Sequence, residues 1–366
     1  MLRFIKKNAV FCIAALAAIV TCFLVPPDIE YFGYFDWKTL SCLFLTLAVV
    51  CALRNIKFFT ILARKLVAMA GNLRSLFLLL IIITFIGSMI IANDMALITF
   101  LPLGYFALSV TKQEKYMAYL FVLQNISANL GGMLTPFGNP QNLYLYSYFN
   151  IQTGEFCRIM LPAFLLAIAL LVVACIPIKS KRFELDDDFN AKLNVRKTIL
   201  YSVLFLMSIL IVFRIIPFVF GLAIIPFILF MVDKDALKMV DYSLLGTFFF
   251  FFIFAGNLAR LDSVNTLVSS LLEKDTLIVS VLSCQFISNV PSAILLSRFT
   301  NNYAALLLGV NIGGTGTLIA SLASLITFNE FRLLHPEQTK KYIKIFAIAN
   351  ILFLVILTAL VKLLGY

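Results

Sequence analysis

The chain has 366 residues, of which 62% are hydrophobic and only 13% are charged, and its formal net charge is +11. Soluble globular domains contain roughly 25% charged residues, so this composition excludes an ordinary soluble domain. The basic residues flank apolar segments instead of forming one patch, which argues against a nucleic acid partner. The sequence therefore predicts an all-α polytopic membrane protein whose surroundings are a lipid bilayer.

Nine apolar segments approach the length needed to cross a bilayer core of roughly 30 Å. In chain order they are residues 9–25, 38–53, 115–148, 157–178, 197–215, 218–232, 242–256, 302–327 and 342–364. Two of them, 115–148 and 302–327, are interrupted by glycine and polar residues. We therefore predict about nine transmembrane spans, of which these two are broken helices.

Two further apolar segments, 74–110 and 275–299, are predicted to form re-entrant helical hairpins. The second has about 25 residues, so each arm would be about 18 Å long at 1.5 Å per residue, too short to cross the bilayer. The first is longer, and its length alone also allows two full spans. Either choice leaves the number of crossings even.

The order of elements repeats along the chain. In each half a span is followed by an amphipathic stretch, a hairpin, a broken span and a last span, the amphipathic stretches being residues 56–71 and 259–274. Five crossings separate these two stretches, so they lie on opposite faces and imply an inverted-topology repeat. We predict an N-terminal half over 1–178, a linker over 179–197 and an inverted C-terminal half over 198–366.

The distribution of basic residues predicts the orientation. With the N-terminus in the cytoplasm, 22 of the 29 Lys and Arg residues fall on the cytoplasmic side. The positive-inside rule favours this arrangement. We therefore expect a cell (inner) membrane protein with a cytoplasmic N-terminus, a cytoplasmic linker and a C-terminus outside.

The two broken spans align without a gap. The alignment pairs Asn129 with Asn311, Gly132 with Gly314, Thr135 with Thr317, Asn139 with Ser321, and Asn142 with Ser324. Glycine and proline free backbone groups that cannot face lipid, so these segments must line a protein-enclosed or watery cavity. Freed carbonyls together with Asn, Thr and Ser oxygens suit a hard cation such as Na⁺. One such break could be a kink satisfied by neighbouring helices, but two aligned breaks favour a function.

The middle of each hairpin is polar, with Asn93 and Asp94 in the first and Ser288, Asn289 and Ser292 in the second. A tip exposes amides at the start of its second arm, where the helix dipole favours an anion. Helix capping is the alternative role for these Asn and Ser residues. Asp94 is a carboxylate between long apolar sequences, so cation ligand, proton carrier and helix cap are all open roles.

No cofactor or enzyme constellation is evident. The seven cysteines form no CxxC pair and His335 is the single histidine, so we expect no metal beyond Na⁺. The spans contain no Ser–His or Ser–Lys motif and no acidic pair, so we expect the chain not to be an enzyme.

At the two tips and the two breaks the chain resembles the ion transporter superfamily of arsenite permeases, sodium–proton antiporters, and citrate and divalent-anion:sodium symporters. The resemblance implies that the tips hold substrate and the breaks hold coupling ions. It assigns substrate to Asn93, Asp94, Asn289 and Ser292, and ions to Thr135, Gly138, Asn139, Thr317 and Ser321. Family members are often homodimers, although no segment of this sequence identifies a dimer face.

The leading hypothesis is a secondary transporter that moves a small anion, such as citrate or a dicarboxylate, coupled to Na⁺ or H⁺ by alternating access. Dicarboxylate members usually carry Ser-Asn-Thr at both tips, whereas an Asp at the first tip and Asn-X-Pro at the second are more similar to the arsenite and antiporter branches. Arsenite or antimonite efflux and Na⁺/H⁺ exchange are therefore the alternative. A non-transport membrane subunit or an intramembrane enzyme is a remote third hypothesis.

Overall fold

The computed structural model of the protein describes residues 8–180 and 193–366. The described part is helical and contains no strand. Its α-helices are α1 (Ala9–Leu24), α2 (Trp37–Asn55), α3 (Phe58–Val67), α4 (Leu73–Ile91), α5 (Asn93–Val110), α6 (Met117–Gly131), α7 (Pro140–Tyr148), α8 (Thr153–Cys175), α9 (Val195–Val212), α10 (Phe218–Val232), α11 (Lys234–Lys238), α12 (Tyr242–Ala259), α13 (Asp262–Ile287), α14 (Asn289–Leu296), α15 (Tyr303–Ile312), α16 (Leu322–Leu334) and α17 (Thr339–Leu363).

The predicted polytopic membrane fold is confirmed. Within the described residues, seven helical segments are long and apolar enough to cross a membrane, namely α2, α4, α5, α8, α9, α12 and Pro336–Leu363. Three shorter apolar helices cover Val10–Leu24, Phe218–Val232 and Tyr303–Ile312. The number of crossings stays a prediction, as does the division at the linker, whose residues 181–192 lie outside the described part.

The two predicted hairpins differ in length. In the first, α4 and α5 have 19 and 18 residues and pack on each other and on α6. In the second, Asp275 breaks the helical geometry of α13 with φ −164° and ψ 89°, so the first arm is 276–287. Its second arm, α14, has eight residues. At 1.5 Å per residue these arms measure about 18 and 12 Å, whereas the arms of the first hairpin measure about 28 and 27 Å.

Side-chain caps fix where the first hairpin and the second broken span begin. Asn72 accepts a hydrogen bond from the Ser75 N–H, and the Ser75 hydroxyl accepts one from the Asn72 N–H, which completes a capping box at the start of α4. Asn302 accepts from the Ala305 N–H at the start of α15. These short polar residues satisfy amide groups that have no partner within the helix.

Long-range polar contacts define two opposite ends of the molecule. At one, which we call the Asn55 end, the Asn55 side chain donates to Asp233 Oδ1 at 2.9 Å. At the other, the Arg260 end, Arg260 Nη2 lies 2.6 Å from Asp28 Oδ2. Helix α2 begins shortly after Asp28 and ends at Asn55, so its 19 residues connect the two ends.

The two hairpins begin at opposite ends. The first starts at the Asn55 end, where Arg74 Nε donates to the carbonyl oxygen of Ile178 at 3.0 Å. The second starts at the Arg260 end, where Lys362 Nζ lies 2.5 Å from Asp275 Oδ2. This is the relation that an inverted repeat requires.

Candidate functional site

Each hairpin turns through one residue in the left-handed region. Ala92 has φ 68° before α5, and Ser288 has φ 75° before α14. The residue that follows, Asn93 or Asn289, folds its side-chain oxygen back onto the next N–H at 2.9 Å. Each tip is therefore held in an equivalent conformation.

Each tip is bound to the break of its own half. The Asn93 N–H donates to the Gly138 carbonyl at 3.2 Å, and the Asn289 N–H donates to the Ala320 carbonyl at 2.9 Å. Gly138 and Ala320 occupy the same position in the gapless alignment of the breaks. Tip and break thus form one polar unit in each half.

A threonine from each break makes a second equivalent bond. Thr135 Oγ1 donates to the Met89 carbonyl at 2.7 Å, and Thr317 Oγ1 donates to the Gln285 carbonyl at 3.0 Å. Met89 and Gln285 both lie four residues before the asparagine of their tip. Both threonines therefore anchor a hairpin arm, and their hydroxyl protons already have acceptors.

The two breaks are also bound to each other. Asn139 Nδ2 donates to Asn311 Oδ1 at 3.1 Å, and Ser321 Oγ donates to Asn129 Oδ1 at 2.7 Å. Because Asn139 aligns with Ser321 and Asn129 with Asn311, these bonds are related by the internal repeat. The centre of the molecule is a reciprocal contact between the two broken helices.

Backbone carbonyls of the first break are partly occupied by Asn142. Its Nδ2 lies 3.1 Å from the Gly132 carbonyl and 3.2 Å from that of Met133, and its Oδ1 accepts from Asn311 Nδ2 at 2.6 Å. The aligned Ser324 accepts from Asn125 Nδ2 at 3.3 Å. These bonds hold the break closed in this conformation.

The glycines of the breaks are required by close packing. A Cβ on Gly132 would overlap Asn139 Oδ1 and lie 2.6 Å from the Gly138 carbonyl oxygen. Gly314 is less crowded, since a Cβ there would lie 3.1 Å from Asn289 Nδ2. The breaks therefore owe their shape to backbone-to-backbone approach as well as to chain flexibility.

A cavity of about 240 Å³ lies where the tips and breaks meet. Four of the predicted site residues line it, namely Asn93, Asp94, Asn289 and Ser321. The remaining predicted residues are outside its lining: Gly132, Thr135, Gly138, Asn139, Asn142, Ser292, Gly314, Thr317 and Ser324.

Ser292 is the predicted substrate residue that the structure does not bring to the cavity. Its side chain is buried, and its hydroxyl lies 2.9 Å from that of Ser283 on the first arm of the same hairpin. The resemblance implied a substrate ligand here, but the helix turns this side chain toward its partner arm.

The cavity extends from the tips toward the Asn55 end. Beyond the tips its lining includes Asn8 and Ser243, which are bound to each other at 3.0 Å, and Asn329 on α16. In this conformation the site therefore faces that end of the molecule.

The four helices that follow the tips and the breaks begin at the cavity wall, as do α1 and α12. The first residues of α5, α7, α14 and α16 all belong to its lining, through Asp94, Gln141, Val290 and Leu322. The amino terminus of a helix carries partial positive charge and favours an anion. Among the described lining residues there is no Lys, Arg or His.

Sequence reasoning missed two lining residues, Asp241 and Gln141. Asp241 caps α12, its Oδ1 accepting from the Leu244 N–H at 3.0 Å, and it lines the cavity together with Asp94. Gln141 donates to Asn311 Oδ1 at 3.3 Å, and its own oxygen has no hydrogen-bond partner. Gln141 lies within the first break, so its position in the sequence could have identified it. Asp241 directly precedes an apolar span, a pattern that indicates only a helix cap.

Comparison with known proteins agrees with this architecture. A family model described as citrate transporter matches residues 1–307. An uncharacterized transporter of Methanocaldococcus jannaschii is 33% identical over 91% of both chains. The inner membrane protein YbiR of Escherichia coli is 28% identical over 89% of this chain and 88% of its own length.

A more distant similarity covers a shorter region. The silicon efflux transporter LSI3 of Oryza sativa subsp. japonica is 30% identical over 162 residues, which are 43% of this chain and 33% of that protein. Several of the similar proteins are therefore named as transporters.

Proposed function

We propose that this chain, which belongs to the citrate transporter family, is a secondary active transporter that moves a small anion coupled to Na⁺ or H⁺. It is a membrane transporter and not an enzyme by family. A carboxylate such as citrate or a dicarboxylate is the substrate class that we place first.

The convergence of four helix amino termini on one cavity is the observation that carries this proposal. Each terminus contributes roughly half an elementary positive charge to the site, which favours a bound anion without any basic side chain. The side-chain NH₂ groups of Asn93 and Asn289 on the two tips are the donors that we propose to orient the anion. Half-helix termini aimed at an anionic group are a recurrent device of secondary transporters.

The charge of the site supports the proposed coupling to a cation. An anion that enters this cavity meets the carboxyl groups of Asp94 and Asp241, and like charges repel. A cation that binds with the substrate offsets this repulsion, so the two bind more tightly together than separately. The freed carbonyls and side-chain oxygens of the breaks, around Thr135, Asn139 and Ser321, are the sites that we propose for Na⁺.

Alternating access would move the hairpin-bearing parts, each tip together with the break that it binds, against the remaining spans. The cavity now faces the Asn55 end, which is cytoplasmic by the distribution of basic residues. We infer that this is the inward-facing state, and that the outward-facing state opens the same tips toward the Arg260 end.

Uptake by proteoliposomes tests the proposal. The full chain is reconstituted, and flux of a panel of labelled carboxylates is measured under an imposed Na⁺ gradient and, separately, under an imposed H⁺ gradient. We expect one gradient to drive flux of at least one anion, and Asn289→Ala to lower it by about tenfold or more. Asn265→Ala, an exposed asparagine of α13, is the matched control. Absence of gradient-driven flux for every anion would refute the proposal.

A second candidate function is export of a neutral hydroxylated solute such as arsenous acid, or Na⁺/H⁺ exchange. The observation in its favour is that Asp94 and Asp241 line the cavity while no Lys, Arg or His does so among the described residues. Expression should then restore growth of a sensitive strain in arsenite or in high sodium, and Asp94→Asn should abolish the rescue. Unchanged sensitivity in both media would count against this function.

A further inference from the structure

A second, smaller cavity of about 60 Å³ adjoins the main one behind Asp94. Asp94 and Asp241 belong to the lining of both cavities. Hence the two carboxyl groups stand at the boundary between the substrate cavity and a mostly apolar space. They come from opposite halves of the chain and from different elements, α5 and the start of α12.

Neither carboxyl group has a counter-ion among the described residues. None of the ion pairs formed within residues 8–180 and 193–366 includes Asp94 or Asp241. Asp94 Oδ1 is buried and accepts no hydrogen bond, whereas Asp241 Oδ1 accepts one from the Leu244 N–H.

A third polar group, Thr46 of α2, faces this boundary. Thr46 is only 6% exposed and lines the small cavity, and its hydroxyl makes no hydrogen bond within the protein. A threonine on a helix commonly donates to the carbonyl four residues before it, so a buried hydroxyl without any partner is unusual. Its unused donor is available to a carboxylate or to a bound ligand.

The charged groups on neighbouring elements do not line either cavity. Arg54 contacts the residue after Asp94, its Nη1 lying 3.9 Å from Met95 Sδ, and the guanidinium carbon of Arg64 lies 4.7 Å from the Phe106 ring centroid. The charged residues carried by α2, α3, α4, α11 and α16 are Lys38, Arg54, Arg64, Lys65, Arg74, Lys234, Asp235, Lys238, Glu330 and Arg332. Among the described residues, Asp94 and Asp241 are the acidic residues that line the two cavities, and no Lys, Arg or His lines either one.

Two carboxylates at this boundary, without a cationic partner among the described residues, are costly to keep charged together. Burial of a charge is costly unless it is paired, and two neighbouring carboxylates resist ionising together. Of the described residues, three with side-chain oxygens line the small cavity, namely Thr46, Asp94 and Asp241. Hard metal cations typically collect about six or more oxygen ligands, so this boundary suits a proton better than a metal ion.

We propose that Asp94 and Asp241 form a carboxyl pair that binds the coupling proton, with the Thr46 hydroxyl donating to the member that stays charged. One carboxylate oxygen takes up a proton from water in the main cavity, and the same O–H bond breaks when the proton is returned to water on the other side. The role in coupling rests on the proposed function, whereas proton binding by the pair does not depend on it.

Thermal unfolding of the detergent-purified full chain tests proton binding without any substrate. If the pair shares a proton, raising the pH from about 5 to about 8 creates two like charges and lowers the midpoint by several degrees. Asp241→Asn and Asp94→Asn should each remove roughly half of that fall or more, since the variant pair keeps at most one charge. Asn caps helices as well as Asp does, so Asp241→Asn preserves the start of α12.

The matched control is Asp235→Asn, an exposed aspartate of α11 paired with Lys238 at 2.9 Å. It should show the wild-type dependence on pH. Thr46→Val, which deletes the unpartnered hydroxyl at similar volume, should steepen the fall because the charged form loses its donor. Parallel pH profiles for wild type, Asp94→Asn and Asp241→Asn would overturn the proposal.

Sodium is tested in the same assay. At about pH 8, any stabilisation by NaCl beyond that by choline chloride should be the same in the wild type and in Asp241→Asn, because the proposed Na⁺ sites lie in the breaks. Stabilisation by Na⁺ that disappears in Asp241→Asn would overturn the proton assignment in favour of a sodium site. Flux in proteoliposomes distinguishes the proposed transport function from proton binding by the pair. If no anion is transported but the unfolding midpoints depend on pH as expected, only the proposed function is refuted.

Discussion

Asp241 shows how a residue can look ordinary in sequence and take part in a site. A carboxylate directly before a long apolar span is a common helix cap, and it does cap α12. Asp94, by contrast, stands between long apolar segments and is conspicuous in the sequence. What links them is the cavity that both residues line although they lie far apart in the chain, and no local pattern encodes this arrangement.

Gly132 gives a prediction at the residue scale. Gly132→Ala places a Cβ against Asn139 Oδ1 and the Gly138 carbonyl, and overpacking of this kind costs typically about 1–3 kcal/mol. We expect a lower thermal unfolding midpoint and reduced transport. Gly154→Ala is the control, because a Cβ there meets no atom within 4 Å and alanine favours the helix. Equal unfolding midpoints for the two variants would contradict the close approach of Gly132 to Gly138 and Asn139.

Ser321 gives a second residue-scale prediction. Ser321→Ala removes one of the two hydrogen bonds to Asn129 Oδ1, the other being donated by Asn93 Nδ2 at 3.3 Å, and leaves the buried Ala323 N–H without its cap. The expected cost is about 1–3 kcal/mol, read from chemical or thermal unfolding. Ser270→Ala, an exposed serine bonded only to the Leu267 carbonyl, should change stability by less than about 0.5 kcal/mol. A neutral Ser321→Ala would mean that the contact between breaks adds nothing to stability.

At the scale of elements, the hairpin tips store backbone strain. Ala92 adopts φ 68° and ψ 153°, and Ser288 adopts φ 75° and ψ 159°, a region used almost only by glycine. Both tips nevertheless carry a side chain. The strain persists because the flanking Asn93 and Asn289 amides are bound to the breaks.

Ala92→Gly tests this strain. Relief of the conformation should exceed the entropy that glycine adds to the unfolded chain, so we expect a gain of about 1 kcal/mol. Ser288→Gly should gain less, because it also deletes the hydroxyl that lies 3.3 Å from the Ala320 carbonyl. Ala96→Gly, within α5, should instead destabilise by about 1 kcal/mol. Destabilisation by Ala92→Gly in an unfolding assay would contradict a strained tip.

Hairpin length was only partly predictable. The segment 275–299 is too short for two spans, and its arms are short in the structure as expected. The segment 74–110 was ambiguous, and each of its arms is long enough to cross on its own. The length of a segment shows whether two arms could cross the bilayer. Whether they do so depends on where tertiary contacts place the tip, and both tips are hydrogen-bonded to the breaks.

At the scale of the whole molecule, the halves are joined by reciprocal contacts. The pairs Asn139–Asn311 and Ser321–Asn129 exchange equivalent hydrogen bonds between broken helices. A site built at such an interface can open to either end by movement of one half against the other, which is the usual logic of inverted repeats. Hydrogen bonds of the tips to their own breaks indicate that each tip would move with its break.

The orientation is tested by labelling in intact cells. We expect Gly365→Cys, at the Arg260 end, to react with a membrane-impermeant maleimide added outside. Lys112→Cys, before α6 at the Asn55 end, should react only after permeabilisation. The wild-type chain, whose seven cysteines are free and none of them exposed, provides the background. The reverse pattern of labelling would invert the predicted orientation.

The sequence by itself determined the membrane class, the approximate spans, the repeated order of elements and the polar segments at the tips and breaks. These follow from local properties: apolar length, the backbone effects of Gly and Pro, and the distribution of charge. Tertiary structure alone decided which of those polar residues face the cavity. It turned Ser292 and Thr135 inward to bind the protein's own groups and brought Asp241 beside Asp94. The reason is that side-chain direction and contacts between distant segments depend on packing, which local patterns do not specify.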